Sequence, residues 1–156
     1  MPELLNIGQE RIPTLAGIKF SNPDLAMFQR CLRAGGGDYE IFWGIDECLL
    51  AALSLGGEAA VGSTYNLAAP VYHRMIAAFR RGDLAEARRE QYRSVELVTL
   101  LGGYGFMGAC KAVMKMLGVD VGPARPPINK LDSGQYDLLA AELRRCGFFD
   151  WAAPPS

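Results

Sequence analysis

Three short apolar runs, each closed by glycine or turn residues and each followed by a helical pattern, constrain this chain more than any other feature. The first, Thr14-Leu15-Ala16-Gly17-Ile18-Lys19-Phe20-Ser21, ends at Asn22-Pro23-Asp24. The second, Tyr39 to Trp43, is aromatic and β-branched and stops at Gly44, and the third is Ala59-Ala60-Val61 before Gly62-Ser63. Short strands alternating with helices mark βα units in a parallel sheet. The chain is therefore expected to be an α/β protein.

In parallel α/β architectures the carboxyl ends of the strands carry function. Here those ends supply Lys19 with Ser21, Gly44 with Asp46 and Glu47, and Gly62 with Ser63. A lysine on a buried strand loses solvation, which disfavours its charged form and frees the amine for Schiff-base chemistry. The alternative is that Lys19 marks a strand end and snorkels to water. Asp46 and Glu47 are charged acceptors suited to sugar hydroxyls, or else caps of the helix that follows.

The helical patterns come in order. Leu4 to Arg11 has the look of a helix end. Asn22 is expected to cap a helix with Pro23 at its first position and Leu25, Phe28 and Leu32 inward, ending at Gly35-Gly36-Gly37. Cys48 to Leu55 follows the second strand, and Leu67, Val71, Met75 and Phe79 stripe a helix after the third, its start blurred by Pro70. Asp83 with Glu86 is a capping-box pattern opening a helix to about Leu101, with Leu84, Ala87, Val95 and Val98 on one face. Phe106 to Leu117 carries Lys111 and Lys115 on one side, and a proline-rich loop leads to a last helix, Ser133 to Arg145, with Leu138, Leu139 and Leu143 inward. The expected division is a strand-bearing part, 1–82, and a helical part, 83–156.

Composition narrows function mainly by exclusion. Of 156 residues 50% are hydrophobic and the formal net charge is −1, so no overall field attracts nucleic acid or an anionic membrane. Four dispersed cysteines, Cys31, Cys48, Cys110 and Cys146, and the single His73 give no zinc or redox spacing, and no metal or cofactor is expected. The N-terminus lacks the pattern of a signal peptide and no apolar run is long enough to span a bilayer, so a cytoplasmic setting with free thiols is expected. Arg81-Gly82-Asp83 lies between helices, where Asp83 serves better as a cap than as an adhesion ligand.

Gly17-Ile18-Lys19-Phe20-Ser21, Trp43-Gly44-Ile45-Asp46-Glu47 and Val61-Gly62-Ser63-Thr64-Tyr65-Asn66, in that order, resemble the sialic acid lyases of the class I pyruvate-dependent aldolase superfamily, to which dihydrodipicolinate synthases also belong. The likeness extends from about Ile12 to Phe149. It implies the last three βα units of a (β/α)8 barrel and a C-terminal helical appendage; whole barrels of this kind take about 250 residues. It also implies that Lys19 is the Schiff-base lysine in the reversible cleavage of N-acetylneuraminate to N-acetylmannosamine and pyruvate. Ser21, the backbone at Gly44, Asp46, Glu47 and Ser63 match the positions that hold the sugar's hydroxylated tail, and a homotetramer is implied. The family's proton-transferring tyrosine and its carboxylate-gripping Gly-Ser/Thr-Thr-Gly-Glu loop belong to earlier strands, without counterparts in this sequence. A shortened chain is thus expected, with Lys19 on a sheet edge, prone to association and turning over little substrate. An inactive interaction partner of a full-length lyase and an aldolase for another 2-keto acid are the competing readings.

Overall fold

The apolar runs become three parallel strands in the computed structural model, which describes residues 1–152: β1 (Gly17–Phe20), β2 (Glu40–Trp43) and β3 (Ala59–Ala60). Their order in the sheet is β1-β2-β3, which leaves β1 at an edge. Lys19 lies opposite Phe42 and Phe20 opposite Trp43, and Phe42 lies opposite Ala59. Because successive strand residues point to opposite faces, this register sorts the side chains. Phe20, Ile41 and Trp43 are buried on one face, while Lys19 and Ser21 stand exposed on the other.

The buried face is aromatic. Phe28 of α2 (Leu25–Cys31) lies edge-on to Trp43 at 4.9 Å and 5.5 Å from Phe20. Full burial of such rings stabilises by about 1.5–3 kcal/mol each, the largest favourable contribution available to so small a sheet. The helix that supplies Phe28 starts later than expected. Asp24, not Asn22, is the cap, accepting from the Met27 amide at 2.9 Å, while the Asn22 side chain accepts from Asp24 N. Asn and Asp cap equally well, so the local turn through Pro23 decides between them, and Pro23 falls outside the helix. Leu25 is consequently exposed.

Helix α1 spans Pro2–Arg11 and buries Leu5, whose carbonyl accepts from the Tyr39 hydroxyl at 3.0 Å. After β2 the chain makes a short 3-10 turn, Asp46–Cys48, before α3 (Leu49–Ser54). These elements form one compact unit, Met1–Gly62.

The second unit begins at Ser63 and is helical among its described residues. Its helices are α4 (Tyr65–Arg80), α5 (Leu84–Gly103), α6 (Phe106–Met116), α7 (Ser133–Arg145) and α8 (Phe148–Trp151). Packing groups α4 with the following helices because its main partner is α5. Asp83 caps α5 by accepting from Glu86 N at 3.0 Å, but the Glu86 carboxylate meets Arg81 at 2.7 Å instead of closing a capping box. The reciprocal box forms at α7, where Asp132 accepts from Gln135 N and the Gln135 side chain accepts from Asp132 N.

Two inward faces differ from expectation. On α5 the buried residues are Ala87, Glu90, Ser94, Leu97 and Leu101, while Leu84 is exposed. Glu90 sits between Arg74 (2.9 Å) and Arg93 (2.6 Å), and Arg74 also donates to the Trp151 carbonyl. Paired in this way, a carboxylate can occupy a position that apolar counting assigns to the outside. On α7, Leu139 and Leu143 are buried but Leu138 is exposed, since the helix turns it away from the stripe they define. No single helix among the described residues is long and apolar enough to cross a membrane.

Candidate active site

The site is built at the carboxyl end of β1 and β2. Lys19 and Ser21 are two residues apart and so share one face of the sheet. Opposite them the chain has Gly44, whose amide extends the ladder by donating to Phe20 O at 2.8 Å. A Cβ at Gly44 would fall 2.1 Å from Ser21 Oγ and 2.9 Å from Lys19 Cε. A side chain there would have to displace both. The lysine stem, the serine hydroxyl and the backbone of Gly44 are thus in direct apposition.

Lys19 is exposed, not buried. The desolvation expected of a lysine on a buried strand therefore does not arise within these residues, because Lys19 stands on the open face of an edge strand while Phe20 points into the core.

The carboxylates separate in role. Asp46 is buried, and its carboxylate lies against Gly62, where a Cβ would fall on Oδ1. The absence of a side chain at Gly62 is what makes room for it. Trp43 fixes the intervening turn by donating from Nε1 to Ile45 O at 2.6 Å. Asp46 and Glu47 lie within the 3-10 turn and not at the cap of α3, which is Cys48 and makes no side-chain cap bond. Glu47 is half-buried and its charge, secondary to burial, raises the pKa of the Cys48 thiol above its ordinary value.

Ser63 is half-buried and opens the second unit. Its carbonyl accepts from both the amide and the side chain of Asn66, at 3.3 and 3.1 Å, which folds the chain into the first turn of α4. Among the described residues no three His, Cys, Asp or Glu side chains are grouped to hold a metal. Gly62 is expected at a strand end beside Ser63, but its part in making room for the Asp46 carboxylate is not. A glycine directly after a strand, facing an acid after the neighbouring strand, was its only trace in the sequence.

The chain belongs to the dihydrodipicolinate synthetase family, whose pattern matches residues 5–146. Within that class it is 38% identical over 152 residues to the N-acetylneuraminate lyase of Rattus norvegicus, covering 96% of this chain and 48% of that protein. Its fold superposes on Proteus mirabilis N-acetylneuraminate lyase with a TM-score of 0.91 at 38% identity, covering 95% of this chain and 50% of the other. For the N-acetylneuraminate lyase of Aliivibrio salmonicida the TM-score is 0.90 at 37% identity, covering 95% and 49%. The α/β architecture is thus that of a part of the family's barrel. The chain spans about half the length of the curated relatives it matches.

Proposed function

We propose that Lys19 forms a Schiff base with the 2-keto group of N-acetylneuraminate and that the chain carries the lysine-bearing part of a lyase site. The observation that supports this most directly is the apposition of Lys19 Cε and Ser21 Oγ to the backbone of Gly44, at the carboxyl end of two parallel strands. In this reading the Lys19 amine adds to the keto carbon and water leaves. The protonated imine then accepts the electron pair of the breaking C3–C4 bond. Pyruvate remains as an enamine, and N-acetylmannosamine departs as the C4 hydroxyl gives its proton to a base, which the family draws from an earlier strand. Protonation of the enamine and hydrolysis of the imine free pyruvate and restore the amine.

Ser21, the Gly44 backbone, Asp46, Glu47 and Ser63 address the hydroxylated tail of the sugar acid and not the reacting carbons. The same reading gives the chain a cytoplasmic homo-oligomeric state, a tetramer by likeness to the family. Borohydride reduction with pyruvate, then peptide mass mapping, tests the central assignment. The expected product is a reduced adduct on Lys19; adducts on Lys111, Lys115 or Lys130 with Lys19 unmodified refute it. In the same assay Asp46→Ala should weaken trapping by N-acetylneuraminate while sparing trapping by pyruvate.

A further inference from the structure

Helix α4 is broken near its start. Ala68 has φ −143° and ψ 36°, outside the helical region, and Pro70 follows with no amide hydrogen to give to the turn before it. The first turn, which follows directly on Ser63, therefore joins the helix body through a kink and lacks the hydrogen bond that the Pro70 position would have donated. Locally it is held by Leu67 N and Ala68 N donating to Thr64 O at 3.0 and 2.9 Å. A turn joined to a helix by so interrupted a ladder needs a second tie to keep a fixed geometry.

That tie is a buried chain of hydroxyls. Thr64 Oγ1 lies 2.5 Å from the Tyr72 hydroxyl, which lies 2.8 Å from Ser94 Oγ. Thr64 precedes the break, Tyr72 follows it, and Ser94 is on α5. All three are buried, with Thr64 0%, Tyr72 4% and Ser94 1% exposed. The Tyr72 ring is itself held edge-on against Tyr65 at 4.3 Å between centroids. Hydrogen bonds shared along a chain in a low-dielectric interior reinforce one another, and removing the middle member breaks both links at once.

We infer that Tyr72, with Ser94 behind it, is a positioning residue that acts through Thr64 to fix the Ser63 turn and so governs capture of the sugar acid's tail. The substrate part rests on the function proposed above; the mechanical part does not. Tyr72→Phe keeps the ring and removes only the hydroxyl.

The test pairs two measurements on the full chain. Hydrogen exchange should show Asn66, Leu67 and Ala68 amides exchanging about tenfold faster in Tyr72→Phe, the equivalent of one hydrogen bond of ordinary net strength, with α4 beyond Tyr72 unchanged. Thr64→Val should act in the same way and Thr64→Ser, which keeps the hydroxyl, should retain wild-type exchange. Borohydride trapping at Lys19 should need about tenfold more N-acetylneuraminate in Tyr72→Phe, while the dependence on pyruvate stays as in the wild type. Unchanged exchange in the first turn, or equal weakening of pyruvate and sugar acid trapping, overturns the inference. If the wild type forms no adduct with either compound, the proposed site and the inferred control of substrate capture fail together, and exchange decides only the mechanical part. Should Tyr72→Phe fail to fold, Ser94→Ala breaks the far end of the same chain and is read identically, by exchange and trapping.

Discussion

The two units differ in what they bury beside an apolar core. In the first, the sheet hides carbon: Phe20, Phe28 and Trp43 pack on one face, while the amine of Lys19 and the hydroxyl of Ser21 are left on the other. In the second, the helices bury polar groups along with their apolar core: Glu90, Ser94, Thr64 and Tyr72 are buried and bonded to one another or to Arg74 and Arg93. The amine and hydroxyl proposed to meet a substrate stand in the open on a thin scaffold, and the polar groups shut away among the helices act on the fold.

The largest expected effect lies in the first unit. Phe28→Ala removes the ring that joins Phe20 to Trp43 and should cost about 3–5 kcal/mol, followed through Trp43 fluorescence in a denaturant titration. Lys19→Met, on the opposite face and exposed, should stay within about 0.5 kcal/mol of wild type. A lysine substitution as damaging as the phenylalanine one would collapse the distinction between the two faces.

Next comes the buried carboxylate of the second unit. Glu90→Ala leaves Arg74 and Arg93 without their shared partner. Because each arginine side chain is about a third exposed, water recovers part of the loss. The expected destabilisation is about 2–3 kcal/mol, below that for an ion pair broken in a fully dry interior. Trp151 is a local reporter, since its carbonyl accepts from Arg74 and its ring lies 5.9 Å from the Arg93 guanidinium carbon. Glu90→Gln, which keeps acceptor geometry without charge, should recover a portion; complete tolerance of Glu90→Ala would show that the polar interior contributes nothing to stability.

Much of the first unit was legible from the sequence because its signals are local. Strand alternation puts Lys19 and Ser21 on one face, and Gly44 marks the end of the second strand beside them. What was illegible depends on partners distant in sequence. The burial of Asp46 needs Gly62, and the inward turn of Glu90 needs Arg74 from another helix. Counting apolar residues therefore chose Val95 and Val98 on α5, both only half-buried, and missed Glu90 and Ser94. Lys19 was expected in a dry setting for a related reason: a strand motif tells which residues alternate, not which face is covered.

The smallest expected effect concerns the thiol beside the carboxylates. Burial first, and the Glu47 charge second, raise the Cys48 pKa, so the folded chain holds the proton more firmly than the unfolded chain does. This contribution to stability is fully present below the ordinary thiol pKa of about 8.5 and is lost as pH rises through the higher folded value. Reactivity follows the same sign, because the thiolate is the attacking form. At pH 8, with limiting iodoacetamide and mass mapping, exposed Cys146 should label well ahead of half-buried Cys48. Glu47→Gln removes the second cause and should speed labelling of Cys48 while leaving Cys146 unchanged. Faster labelling of Cys48 than of Cys146 in the wild type would mean that the strand-end turn is open enough to hydrate its thiol. The recess that holds Asp46 against Gly62 would then be no drier than the lysine face beside it.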